Sequence, residues 1–128
     1  MIAVDTNVVV RLLVNDDVEQ ARRARELFQH EKVWIGATVL LETAWVLDAS
    51  YGLGAADVAA ALNGLLGLPN VSVEDGEAVA RALAAVAKGV DFADALHLVR
   101  APAEVEAFVT FDAVLARRGR TLRATRLP

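Results

Sequence analysis

Short apolar runs alternate along this chain with longer segments of helical periodicity. The length and composition of the short runs favour buried β-strands. These runs cover residues 2–4, 33–35, 71–73, 108–110 and 121–124. Such alternation is typical of a parallel sheet covered by helices on both faces. We therefore predict an α/β fold, a three-layer α/β/α sandwich with a central, mostly parallel sheet of about four to five short strands.

Helical patterns fill the spaces between the predicted strands, with apolar residues recurring every three or four positions. They cover residues 17–30, 38–50, 57–66, 76–88 and 91–100. A further short helix is predicted to begin at Asp112. The length of 128 residues suits one typical domain, so we expect a single domain over residues 1–128.

Composition removes several kinds of chemistry from consideration. Cysteine is absent, which excludes disulfides, thiolate zinc sites and cysteine nucleophiles. Only His30 and His97 could add nitrogen ligands, and their separation does not match the spacing of a zinc hydrolase. No apolar stretch approaches the roughly 20 residues of a membrane span, and the first residues do not resemble a targeting signal. We therefore expect a cytoplasmic protein in which oxygen atoms hold any metal.

Two acids lie inside segments that are otherwise apolar. Glu42 interrupts a predicted helix that is apolar nearly all round, and burying a carboxylate there is costly unless it is paired, protonated or bound to a metal. The alternative is that Glu42 lies on a narrow solvent-facing stripe. Asp94 lies among apolar residues one turn after Asp91, which is well situated to be the helix N-cap.

Two further acids, Asp5 and Asp112, each follow a predicted strand. Both could simply cap the next helix, a role that contributes about 1 kcal/mol. Ligands in this fold class bind at the carboxyl ends of the strands, so both residues should also point to that edge. Carboxylates gathered there would repel one another, and a hard divalent cation such as Mg²⁺ or Mn²⁺ would relieve the repulsion. Such a cation can activate water for phosphodiester hydrolysis.

The formal net charge of −4 argues mildly against a nucleic acid partner, but the basic residues are unevenly distributed. Arg22, Arg23 and Arg25 form one group. A second group near the end consists of Arg117, Arg118, Arg120, Arg123 and Arg126. Each group is either a solvated surface or a phosphate-binding surface, and the pattern alone leaves both interpretations open.

Four motifs occur in order along the chain: Ile2-Ala3-Val4-Asp5-Thr6-Asn7, Leu41-Glu42-Thr43-Ala44-Trp45-Val46-Leu47, Asp91-Phe92-Ala93-Asp94-Ala95-Leu96-His97 and Phe108-Val109-Thr110-Phe111-Asp112. Together they resemble the PIN-domain family, particularly the VapC-type toxins of bacteria and archaea. Each motif alone is weak, whereas the ordered set within one small domain is highly specific.

The resemblance implies a role for each matched residue. Asp5, Glu42 and Asp94 would be the core metal-binding acids, and Asp112 a fourth that ligates through water or orients the nucleophile. Asp91 would either join the acidic pocket or cap its helix. The residues that would support the site by hydrogen bonds are Thr6, Asn7 and Thr110.

The resemblance also implies an Mg²⁺- or Mn²⁺-dependent endoribonuclease, a homodimer and a VapB-type antitoxin that blocks the site. On this hypothesis Arg117, Arg118, Arg120 and Arg123 help to hold the phosphates of RNA. The aromatic residues Trp34, Trp45 and Tyr51 and the four phenylalanines are expected mostly in the core.

Two other classes of protein are weighed against a ribonuclease. A phosphoacceptor receiver domain also gathers acids at strand ends, but it requires an adjacent acidic pair after the first strand and a lysine after a late strand. Here Thr6 follows Asp5, and neither Lys32 nor Lys88 follows a late strand. A non-catalytic binding module that keeps the fold is the other alternative, and the complete set of acids argues against it.

Overall fold

The computed structural model describes residues 1–128, which form two compact units, Met1–Gly76 and Glu77–Pro128. The expected single domain over residues 1–128 stays a prediction. None of the helices has the length and apolar character needed to traverse a lipid bilayer.

The first unit contains a three-stranded parallel sheet and four helices. Its elements in chain order are β1 (Ile2–Ala3), α1 (Thr6–Leu13), α2 (Val18–His30), β2 (Val33–Ile35), α3 (Ala37–Ala49), α4 (Ala55–Leu66) and β3 (Val71–Val73). The sheet order is β1-β2-β3, and Val33 lies opposite both Ile2 and Val71. Because β2 is the central strand, its side chains Val33 and Ile35 are fully buried.

The second unit contains three helices and one pair of parallel strands. The helices are α5 (Gly76–Val86), α6 (Phe92–Arg100) and α7 (Ala113–Arg118), and the strands are β4 (Phe108–Val109) and β5 (Thr125–Arg126). Its core is made of apolar side chains from the helices, among them Val79, Ala82, Leu83, Ala95, Leu96, Leu98 and Leu115.

The predicted α/β fold class with parallel strands is confirmed. Five short strands are present and every pairing between them is parallel, although they hydrogen-bond as sheets of three and two strands. The strands at residues 33–35 and 71–73 have the predicted bounds. The N-cap of α2 is Asp17, whose side chain accepts a hydrogen bond from the Gln20 N–H at 3.0 Å.

The strand predicted at residues 121–124 was wrong. A 3₁₀ turn occupies Gly119–Thr121, closed by a 2.9 Å hydrogen bond from the Leu122 N–H to the Gly119 carbonyl, and the strand begins only at Thr125. Gly119 is buried so tightly that an added Cβ would lie 2.8 Å from Leu98 Cδ1. This close packing, which no local pattern reveals, bends the chain where an extended strand was predicted.

Candidate active site

Asp5 follows β1 after one residue, Val4, and is the N-cap of α1. Its Oδ1 accepts a 2.7 Å hydrogen bond from the Thr6 N–H, while Oδ2 has no hydrogen-bond partner. The side chain is exposed, although Thr6 beside it is buried. Capping and metal binding are therefore compatible for Asp5, because the cap uses one oxygen and fixes the orientation of the other.

Glu42 lies on the exposed face of α3, which agrees with the alternative of a solvent-facing stripe. The residues that α3 buries, Leu40, Thr43 and Leu47, lie on its opposite face. The exposed positions form a stripe at helical spacing, made of Thr38, Glu42, Trp45, Asp48 and Ala49. The composition of α3 hides this stripe because three of its members are apolar or small. Glu42 takes part in no hydrogen bond or ion pair.

Asp5 and Glu42 line the same cavity in the first unit, which has a volume of about 310 Å³. Thr6 and Asn7 line it as well, so the first two acids and two of the predicted supporting residues are brought together. The remaining lining residues are Val10, Arg11, Val46, Ser50 and Tyr51. The cavity therefore combines two carboxylates that lack ion-pair partners with one guanidinium.

A hydrogen-bonded group at the rim of this cavity was missed in the sequence. The Arg11 guanidinium donates to Asp16 at 2.9 Å, to the Tyr51 hydroxyl at 3.1 Å and to the Gln20 side chain at 2.7 Å. The Tyr51 hydroxyl in turn donates to Asp16 at 2.7 Å. This hydrogen bond, together with the Arg11 charge, holds the pKa of Asp16 below its ordinary value. Arg11, a single cation within the apolar run of α1, was the feature of the sequence that could have indicated this group.

We expect Tyr51→Phe to lower the urea midpoint of unfolding slightly at neutral pH, because the hydroxyl joins Asp16 to Arg11. The folded-state pKa of Asp16 is depressed, so its contribution is present above the unfolded pKa and is lost as the pH falls through the folded pKa. The difference between the variant and the unaltered protein should therefore vanish in acid. A difference that persists at low pH would contradict this account.

Asp91 and Asp112 are helix N-caps in the second unit. The Asp91 side chain accepts from the Asp94 N–H at 3.2 Å at the start of α6. Asp112 Oδ1 accepts from the Val114 and Leu115 N–H groups at 2.9 Å and 3.0 Å at the start of α7. Both caps agree with the capping interpretation of the sequence, and Asp112 Oδ2 has no hydrogen-bond partner.

Asp94 is the half-buried acid of this unit and lies in the first turn of α6. Burial raises the pKa of Asp94, and the nearby charges of Asp91 and Asp112 raise it further, while His97 acts in the opposite direction. The Thr110 hydroxyl oxygen supports the backbone at Asp112 by accepting a 3.0 Å hydrogen bond from the Asp112 N–H. The three carboxylates of the second unit are therefore close enough to repel one another.

Neither unit by itself contains three or more acidic or histidine side chains grouped closely enough to hold a metal ion. The available donors nevertheless fit a hard divalent cation in their chemistry, because they are carboxylate oxygens without ion-pair partners. The pKa of Asp94, raised in part by its acidic neighbours, indicates negative charge that a cation would neutralise. The donor set therefore suits Mg²⁺ or Mn²⁺.

The arginines near the end of the chain do not share one role. Arg123 donates to the backbone carbonyls of Leu98, Pro102, Val105 and Ala101, which uses four of its five N–H groups. Its predicted role in RNA binding is therefore replaced by a structural one. It satisfies carbonyls at the end of α6 and in the loop after it.

The other predicted RNA-binding arginines keep more of their donors. Arg118 donates to the Gly89 carbonyl at 3.0 Å and Arg120 to the Thr125 carbonyl at 3.5 Å. Arg117 is exposed and makes no hydrogen bond or ion pair. These three remain available to a negatively charged ligand.

Two aromatic side chains expected in the core are exposed instead. Trp45 is 67% exposed on α3, and Phe111 is 90% exposed immediately before Asp112. Each lies near a predicted site acid in the chain, since Trp45 follows Glu42 by almost one helical turn. Hydrophobicity alone predicted burial for both, whereas Trp45 lies on the exposed face of α3 and Phe111 lies in the segment between β4 and α7.

The chain matches the PIN domain family over residues 2–120, which is nearly its whole length. No curated protein and no solved structure gives a significant match. The chain therefore belongs to the PIN domain family, whose members are generally metal-dependent nucleases. A domain of this family implies a nucleic acid substrate.

Proposed function

We propose that this protein is an Mg²⁺- or Mn²⁺-dependent endoribonuclease whose metal-binding acids are Asp5, Glu42, Asp94 and Asp112. The observation that carries the proposal is that none of these four carboxylates takes part in a salt bridge, in a chain that matches over residues 2–120 a family whose members are generally metal-dependent nucleases. Asp91 is a possible additional acid, although its cap on α6 engages one of its oxygens.

A bound divalent cation would supply an activated water and would stabilise the charge that develops on the phosphoryl group. The protein's own part is to hold the carboxylates in fixed positions. Caps orient Asp5 and Asp112, and the first turn of α6 carries Asp94. Such preorganised ligands need little rearrangement during the reaction, which is the usual source of catalytic power in sites of this kind.

Single-stranded RNA is the proposed substrate. Bases in single strands are recognised by stacking on aromatic side chains, and Phe111 and Trp45 offer exposed rings near the proposed acids in the sequence. Arg117, Arg118 and Arg120 supply guanidinium groups that can neutralise phosphates. Both features favour RNA over a small phosphate ester.

The biological role that we propose is that of the toxin of a toxin-antitoxin pair, acting in the cytoplasm as a homodimer. A VapB-type antitoxin would block its site. The proposal rests on the resemblance of the four acid motifs to VapC-type toxins. Gel filtration of the purified chain tests the dimer, and a clean monomer would contradict that part of the proposal.

We expect purified protein to cut a mixed RNA pool with Mg²⁺ or Mn²⁺ and not with chelator. Metal bound only by the folded state should also raise the free energy of unfolding, by about 2.7 kcal/mol when free metal is 100 times its Kd. Gel electrophoresis of the RNA and thermal unfolding with and without metal measure the two effects. Metal-dependent stabilisation without cleavage of any RNA would favour the non-catalytic binding module.

A further inference from the structure

A second cavity, with a volume of about 770 Å³, lies beside α1 and α2 in the first unit. It is larger than the cavity that contains Asp5 and Glu42. Pockets that bind small molecules and cofactors usually have volumes of roughly 300–1,000 Å³, so this cavity is large enough for a nucleotide.

The lining of this second cavity combines three kinds of surface. Apolar side chains come from Val8, Ala24 and Leu27, and carboxamides come from Asn7 and Gln20. The cations are Arg11 and Arg23, and the remaining lining residue is Glu26, which forms a salt bridge with Arg22. An apolar surface suits a base or a ribose, carboxamides suit the edge of a base, and guanidinium groups suit a phosphate.

Arg23 is the cation in this cavity that forms no hydrogen bond or salt bridge. It is exposed and makes no hydrogen bond or ion pair, whereas the neighbouring Arg22 donates to both Glu19 and Glu26. The residues of α2 that line the cavity are 20, 23, 24, 26 and 27, which have the spacing of one helical side. Arg25 is on the same helix and does not line the cavity.

Arg11 and Asn7 line both cavities, so the two cavities share a wall. Asn7 and Arg11 are four residues apart on α1 and therefore lie on one side of it. Asp16, Tyr51 and Gln20 hold the Arg11 guanidinium in one orientation. A strand of RNA that presents one phosphate to Asp5 and Glu42 would thus meet this fixed guanidinium on its way to the second cavity.

We propose that the second cavity is a nucleotide subsite, which binds one ribonucleotide of the RNA next to the cleavage point. Arg11 and Arg23 contact its phosphate, and the apolar residues of the cavity contact its base or ribose. This inference rests on the proposed ribonuclease function and deepens it, because it assigns the neighbouring nucleotide to named residues.

The test measures the binding of a labelled, mixed-sequence RNA hexamer pool by fluorescence anisotropy. The measurement is made in EDTA, so that no metal is bound and nothing is cut. We expect Arg23→Ala to weaken binding by about tenfold or more and to reduce the slope of log K against log salt by about 0.7, the loss of one phosphate contact. Arg23→Lys, which keeps the charge, should restore most of the slope.

Arg25→Ala is the matched control. It removes the same charge from the same helix, and both arginines are exposed, so both variants should fold as the unaltered protein does. Equal losses in Arg23→Ala and Arg25→Ala would overturn the subsite in favour of general attraction by charge. Absence of saturable hexamer binding to the folded, unaltered protein would overturn it as well.

The failure of this inference and the failure of the proposed function give different results. Metal-dependent cleavage with no effect of Arg23→Ala on binding would overturn the subsite and leave the ribonuclease intact. Binding in EDTA that depends on Arg23, without cleavage under any metal condition, would support the subsite and contradict the proposed activity.

Discussion

Asp94→Asn is expected to abolish metal-dependent cleavage of RNA, with a loss of roughly 100-fold or more, as when one group that stabilises transition-state charge is removed. The substitution keeps the size of the side chain and removes only its charge. Because burial and the charges of Asp91 and Asp112 already raise the pKa of Asp94, its carboxylate is unfavourable in the folded, metal-free protein. The variant should therefore be at least as stable as the unaltered protein without metal.

Asp57→Asn is the control for this prediction. Asp57 is the third residue of α4, as Asp94 is the third residue of α6, and it is exposed. Both substitutions remove a negative charge from the first turn of a helix, so their effects on the helix dipole are alike. Asp57→Asn should leave cleavage unchanged. Full activity of Asp94→Asn in the same assay would exclude Asp94 from the metal-binding acids.

Arg123→Ala is expected to lower the free energy of unfolding by about 3 kcal/mol, because hydrogen bonds to a charged donor are worth more than neutral ones and several carbonyls lose this donor at once. The substitution deprives four backbone carbonyls at the end of α6 and in the following loop of a donor. Arg123→Lys should not restore stability, since an ammonium lacks the planar fork that reaches several carbonyls at once.

Arg117→Ala is the comparison for Arg123→Ala, because Arg117 is exposed and unpaired in the same part of the chain. It should change the free energy of unfolding by no more than about 0.5 kcal/mol. Urea unfolding followed by circular dichroism measures both variants. If Arg123→Ala unfolds at the same urea concentration as Arg117→Ala, the structural role of Arg123 is wrong.

Local patterns predicted the elements of this fold well where a few neighbouring residues decide the local structure. The strands at residues 33–35 and 71–73 are short apolar runs, and their bounds were predicted correctly. The N-cap at Asp91 was predicted because a short side chain with an acceptor oxygen precedes the helical pattern. These features depend on a few neighbouring residues and need no information about the rest of the chain.

Exposure was predicted less well, and the errors have one cause. The sequence of α3 is apolar nearly all round, so periodicity could not show which side faces solvent. The exposure of Glu42 was left open, and Trp45 was expected to be buried. Phe111 was expected in the core because of its hydrophobicity, yet it is 90% exposed in the segment between β4 and α7. Which face of an element is covered depends on its packing partners.

The candidate acids could be identified from the sequence, but their surroundings could not. Four motifs pointed to Asp5, Glu42, Asp94 and Asp112, because carboxylates after strands and within helices are costly unless a cap or a metal uses them. The cavity shared by Asp5 and Glu42 and the hydrogen bonds of Arg11 join residues that are distant in sequence.

The sequence by itself determined the α/β class, the succession of strands and helices and the choice of candidate acids, since each depends on side-chain chemistry and short-range patterns. Only the tertiary structure decided that Arg123 closes the end of α6, that Glu42 is exposed and that Arg11 separates two cavities. The physical reason is that hydrogen bonds and burial between distant segments depend on the packing of the whole unit, which no local pattern encodes.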